Sequence, residues 1–359
     1  MISICGRKVK VKTGQKSQTV NICSSANIHG DYDYIIRLTP PSISEETLLG
    51  QSFSSIPELV RYLESHHLGV VERTPAIRSL GAFRIRADEV TSKRAMRHPL
   101  NALFKSPEVN SFALSEKAAS ALSETELLFL FEQQVKGAPL RGEYWDKPYF
   151  KGHTGKTDSG LPTNRREEHL AIALWRAYRE AGFTLPDRTT LFPVDYQLPL
   201  KSHRDEANEG LGKIDLLCVE PEGDPWICEL KVYSVGAKGA ETPLKALLES
   251  LAYCATLDAD MRNLSRESDD KKRTLLHVVS PTRPNLLIIA PSEYWTLCSQ
   301  AADRHNWIEP IQALCHRIEI TLKIKVRFVR MDNCRWEMNQ FGMPSLIGTP
   351  VFNWAFARV

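Results

Sequence analysis

The chain has 359 residues, 42% of them hydrophobic and 25% charged, with a formal net charge of +3 at pH 7. Such a length exceeds one compact domain and predicts two, and the composition is that of a soluble globular protein. A charge this small argues against a dedicated polycation. The longest apolar runs, LLFLF (127–131) and LLIIA (286–290), are too short to cross a bilayer, and MISICGRKVK lacks the apolar core of a signal peptide. Eight scattered cysteines without a C-x-x-C predict reduced thiols, and the expected location is cytoplasmic with no membrane contact. Cys298, His305, Cys315 and His316 match no zinc spacing, and packing is their expected role.

The first 20 residues hold Arg7, Lys8, Lys10, Lys12 and Lys16 and no acid. KVKVK (8–12) alternates, so a strand there presents one lysine face. Two readings stay open for Lys8, Lys10 and Lys12: nucleic-acid phosphate contacts, or an edge strand guarded by lysines. QTVNICS and DYDYIIRLT read as strands, and SSIPELVRYLESHH reads as a helix capped by Ser55 with a proline in its first turn. In SETELLFLFEQQVKG, Ser123 and Glu126 have capping-box spacing and Gly137 marks the stop.

Residues 138–163 are rich in Gly, Pro and polar side chains, so they are expected to form a linker or long loop. Residues 1–137 are then an N-terminal α+β domain, for target recognition or binding a protein partner, and 164–359 a second domain. GHTGKT (152–157) ends like a phosphate-binding loop. Phe150 stands where its first glycine belongs, so a turn is expected instead.

From 164 onward the order is a capped helix closed by Gly182, then strands at 190–200, 213–219 and 226–234. A helix follows at 241–257 with Pro243 in its first turn. A polar loop including SRESDDKKR (265–273) leads to a buried strand at 285–291, two helices and a strand at 323–331.

GKIDLLCVEPEGDPWICELKVYS (212–234) puts charges inside two apolar runs. If these strands form a hairpin turning at 220–224, Asp215 lies opposite Glu229, and alternation puts Asp215, Glu229 and Lys231 on one face. Ile214, Leu216, Cys218, Cys228, Leu230 and Val232 line the other. Leu217 and Ile227 share the charged face, so that face is not expected to be fully wet. Surface ion pairs are the plainer reading. Two carboxylates with a lysine in apolar company instead suggest a divalent cation, held by carboxylates, a carbonyl and water. Such an ion polarises a phosphoryl oxygen and supplies the nucleophile.

Gly-x-x-Asp on one strand and Glu-x-Lys on the next, between two helices, resembles the PD-(D/E)XK nuclease superfamily from about 164 to 331. The proline of the family name is replaced by Ile214. The resemblance implies an α/β, restriction-endonuclease-like core, a mixed sheet flanked by helices. It makes Asp215, Glu229 and the carbonyl of Leu230 the Mg²⁺ ligands, with Mn²⁺ able to substitute, and Lys231 the catalytic lysine. Many members add a glutamate from the first helix, here Glu167 or Glu168; first-turn acids favoured by the helix dipole are the alternative. Members often carry a glutamine and a tyrosine on the second helix. Here Lys245, Glu249 and Tyr253 form an i, i+4, i+8 row, with Glu249 where the glutamine would stand. Lys245 and Tyr253 are either phosphate contacts or part of a solvated ridge.

The expected activity is Mg²⁺-dependent phosphodiester hydrolysis by an endonuclease, with DNA favoured over RNA. One site cuts one strand, so double-strand cleavage calls for a homodimer. The alternative is a nuclease-like protein that binds nucleic acid or a protein partner without cutting.

Overall fold

A computed structural model describes strands at 2–4, 7–9, 18–22, 32–38, 52–53 and 69–75, and residues 98–141, 148–150, 153, 166–202, 210–233, 241–272, 275–302, 304–333 and 335–356. The chain divides into two units, Met1–Ser92 and Lys93–Val359. In the first, β1 (Ile2–Ile4), β2 (Arg7–Val9), β3 (Gln18–Ile22), β4 (Tyr32–Leu38), β5 (Ser52–Phe53) and β6 (Gly69–Pro75) form two three-stranded sheets, ordered β2-β1-β5 and β3-β4-β6. Lys8 lies on β2, paired with Ser3. Lys10, Lys12, the helix expected after Ser55 and all of 152–157 but His153 lie outside the described residues.

The second unit begins with three helices, α1 (Pro99–Phe104), α2 (Phe112–Ala121) and α3 (Glu124–Gly137). Ser123 and Glu126 close the expected capping box on α3. Then come α4 (Arg166–Tyr178), β7 (Phe183–Thr184), β8 (Thr190–Pro199), β9 (Lys213–Val219) and β10 (Pro225–Leu230). The chain continues through α5 (Pro243–Asp258), α6 (Met261–Asp270), β11 (Asn285–Pro291), α7 (Ser292–Ala302), α8 (Ile308–Leu322) and β12 (Val326–Asp332). It ends with β13 (Arg335–Met338), β14 (Pro344–Ile347) and β15 (Val351–Trp354).

Seven strands form one mixed sheet in the order β15-β12-β11-β10-β9-β8-β7. The centre, β10-β11-β12, is parallel; β7, β8, β9 and β15 join antiparallel. Leu170, Ala171 and Leu174 of α4 pack on one sheet face with Leu216, Cys218, Cys228, Leu230, Leu287 and Ile289. The fold is thus α/β with helices flanking a mixed sheet. The thiols of Cys218 and Cys228 are free and buried, their sulfurs 3.5 Å apart.

The division falls well ahead of the expected linker at 138–163. The amphipathic pattern of α3 announces a buried face without saying what buries it. Here α1 and α3 are laid on α5. Gln134, fully buried, donates to Asn101 Oδ1 at 2.9 Å and Thr256 Oγ1 at 3.0 Å and accepts from Leu100 N at 3.2 Å. Thr242, the N-cap of α5, donates to Val109 O, and Arg317 of α8 donates to Ala119 O at 2.7 Å. Thirteen of the sixteen residues of α5 are buried as a result, so it is a central helix.

The polar loop expected around 265–273 is instead helical as far as Asp270. Met261, Leu264, Glu267 and Ser268 are its buried positions. Glu267 can be buried because its carboxylate accepts from Tyr149 N at 2.8 Å and Phe150 N at 2.9 Å and pairs with Lys271 at 3.0 Å. Beside it Tyr149 donates to Asp260 Oδ2 at 2.7 Å, and the Arg141 guanidinium lies 3.4 Å from the Tyr149 ring centre.

Candidate active site

The β9–β10 hairpin turns at 220–224, where Glu220 N donates to Asp224 O at 2.9 Å and Gly223 takes φ +92°, a value that favours glycine. The register runs Val219–Pro225, Cys218–Trp226, Leu217–Ile227, Leu216–Cys228, so the next pair in sequence is Asp215 and Glu229. The expected register is the one observed. Leu217 and Ile227 are fully buried on the charged face, and Glu229 and Lys231 are each 3% exposed. A wet sheet face with decorative ion pairs is therefore ruled out.

Lys231 is the hub of the cluster. Its ammonium lies 2.7 Å from Glu229 Oε1, 2.9 Å from Glu241 Oε2 and 3.4 Å from Glu249 Oε2. Burial alone would lower its pKa. The surrounding carboxylates, Glu229 first, outweigh burial and hold it well above the ordinary lysine range. Burial pushes Asp215 up to about 7 and Glu229 well above the usual carboxylate range, with Lys231 opposing both shifts. Glu229 Oε2 is buried and has no hydrogen-bond partner.

Of the two acids opening α4, Glu167 reaches the cluster. Burial raises its pKa, Lys231 lowers it, and the Val232 N–H donates to it. Glu168 beside it is buried, Glu167 only partly. On α5, Tyr253 is 6% exposed and donates to Glu249 Oε1 at 2.8 Å, so this row is no solvated ridge. Lys245, at its outer end, pairs with Glu241.

Two neighbours of the site give no signal in the sequence. Glu241, expected as the first residue of the helix, instead precedes the N-cap of α5 and reaches back to Lys231. Gln197 stands on β8 among apolar residues and donates from Nε2 to Asp215 Oδ1 at 3.0 Å. Leu230 N donates to Asp215 Oδ2 at 3.1 Å. Among the described residues no group of three or more His, Cys, Asp or Glu side chains is arranged to hold a metal ion. The oxygen donors gathered here are the carboxylates of Asp215 and Glu229, with those of Glu167, Glu241 and Glu249 around Lys231.

No family model, curated protein or solved structure matches this chain. The chemistry of the cluster must therefore be argued from its own residues. No helix among the described residues is long and apolar enough to cross a membrane.

Proposed function

We propose that the Lys93–Val359 unit is a metal-dependent nuclease of the PD-(D/E)XK kind, hydrolysing phosphodiester bonds with DNA as its expected substrate. One observation carries this reading: two carboxylates meet across a hairpin beside a buried lysine, and Glu229 Oε2 is buried with nothing to satisfy it. A buried acceptor oxygen left without a partner costs about 1–3 kcal/mol, more on a charged group, unless a cation or donor compensates it. The donor set is oxygen only, which fits Mg²⁺ and Mn²⁺ and not a thiolate-seeking ion. Asp215 and Glu229 would hold it, with the Leu230 carbonyl. When bound, such an ion polarises the phosphoryl oxygen and eases ionisation of the attacking water.

The chain's own groups have separate tasks. Lys231 stays protonated among its acids, so it serves as a donor and positive charge toward the scissile phosphate, not as a base. Glu167, whose proton affinity burial raises, is the group suited to accept the proton of the attacking water. Glu249 and Tyr253 brace Lys231 from α5. Lys245, near the outer end of the row, is suited to a flanking phosphate.

Incubation of the pure protein with plasmid, linear duplex, single-stranded DNA and RNA, each with Mg²⁺ or EDTA, tests the reading. Mg²⁺-dependent cleavage that Asp215→Asn abolishes supports it. Nucleic-acid binding without cleavage of any substrate would leave the binding-only alternative standing.

A further inference from the structure

Gln197 occupies an unusual backbone position. It lies within the ten-residue strand β8, between the paired residues Tyr196–Leu216 and Leu198–Ile214, yet its φ is +51°. A non-glycine residue in the left-handed region is strained, and such strain persists where surrounding structure enforces it, often at functional sites. The same strand carries a register shift between Pro193 and Asp195, so β8 is irregular along the edge that faces β9.

The strained residue turns its amide onto Asp215. Nε2 donates to Oδ1 at 3.0 Å from β8, while Leu230 N donates to Oδ2 at 3.1 Å from β10. Asp215 offers only acceptors when ionised, so the amide's NH₂ end faces it. The carboxylate is thus clamped between the two strands that flank its own, one donor to each oxygen. Each oxygen keeps lone-pair capacity for a further partner. The donor's neutrality matters. An ammonium here would also favour the carboxylate, but it would repel a divalent cation; an amide and a backbone N–H orient the group without opposing charge.

We infer that Gln197 is a positioning residue that orients Asp215 for divalent-cation binding, its strained backbone being the cost of aiming the amide. This role rests on the metal-dependent reading of the site. Outer partners that orient a ligating side chain change metal affinity by about 10- to 100-fold when removed. A residue present only for structure would lower stability instead.

The test uses the full-length protein with Mn²⁺ as probe. Calorimetry and the electron paramagnetic resonance spectrum of Mn²⁺ report affinity for wild type, Gln197→Ala, Gln197→Gly and Asp215→Asn; melting in EDTA reports metal-free stability. Both Gln197 variants should bind Mn²⁺ at least about tenfold more weakly. Gln197→Gly, which relieves the positive φ, should melt in EDTA at or above wild type. Affinity and melting temperature falling together in Gln197→Gly would make the amide structural and overturn the inference. So would wild-type affinity in both Gln197 variants when Asp215→Asn binds weakly. If Asp215→Asn binds Mn²⁺ as tightly as wild type, the metal reading fails and this role fails with it.

Discussion

Gly212 lies so close to Tyr253 that a Cβ at position 212 would stand 2.3 Å from the phenol oxygen and 2.9 Å from Cζ. The glycine that opens Gly-x-x-Asp thus clears space for the buried tyrosine that holds Glu249. Gly212→Ala is expected to push Tyr253 off Glu249 and to lower stability by about 1–3 kcal/mol, the usual cost of overpacking. Urea midpoints measure it. Removing the hydroxyl relieves the tightest contact, so adding Tyr253→Phe should cost less in the Gly212→Ala background than in wild type. Simple additivity would show that the contact is not felt.

The pH dependence follows from the buried acids. Asp215 is raised to about 7 and Glu229 well above its ordinary range, burial being the first cause of each. The folded state therefore binds their protons more tightly than the unfolded chain does. The Asp215 contribution is present below its unfolded value of about 4 and is lost as pH rises through about 7, and that of Glu229 is likewise lost as pH rises through its own raised folded value. In EDTA the melting temperature should fall between about pH 5 and about pH 8, and Glu229→Gln should flatten that fall. Mg²⁺ should restore wild type and not the variant. Parallel pH profiles for the two proteins in EDTA would contradict the assignment.

Lys231→Ala should do more than remove a catalytic charge. It leaves Glu229 buried without its partner, which costs roughly 3–5 kcal/mol where buried pairs are broken one-sidedly. Calorimetric melting should show the loss, and Glu229→Gln added to Lys231→Ala should recover much of it. Loss of turnover in Lys231→Ala alone therefore does not isolate a role in chemistry. Lys231→Ala melting like wild type would mean the pair is better solvated than its burial indicates.

The domain division carries its own test. Because α5 is buried in part beneath α1 and α3, a 160–359 fragment exposes the apolar side of its central helix. It should aggregate, whereas 93–359 should stay soluble and unfold in one cooperative step. Analytical ultracentrifugation and thermal melting separate the two. A monomeric, cooperatively folded 160–359 would show that the helices are dispensable.

What the sequence made legible was local. The hairpin register could be read because a short turn with Gly223 and Asp224 fixes the pairing, and period-two alternation then assigns faces. Helices α3 to α5 were legible from caps, apolar spacing and the glycine after α4. Gln197 was not, because a positive φ leaves no mark when glycine is absent. Glu241 was legible only as the first residue of an expected helix; its partner Lys231 is set by tertiary packing. Acidic, lysine-rich 265–273 looked like a loop because the bonds that bury Glu267 come from Tyr149 and Phe150, more than a hundred positions away. α1 is one and a half turns without a capping side chain, too little to stand out.

The two faces of the β9–β10 ribbon are separate handles for engineering. On one side Leu216, Cys218, Cys228 and Leu230 sit in the apolar core; on the other sit the ionisable groups. Helix α4 links the two, packing Leu170 and Leu174 on the apolar side and bringing Glu167 to the charged one, so energies should sum only for substitutions that leave α4 in place. A library that repacks Cys218 and Cys228 with Val, Ala or Ile can remove oxidisable sulfur while the charged side is redesigned, as long as α4 keeps its seat. Durability and chemistry can then be tuned on the same two strands.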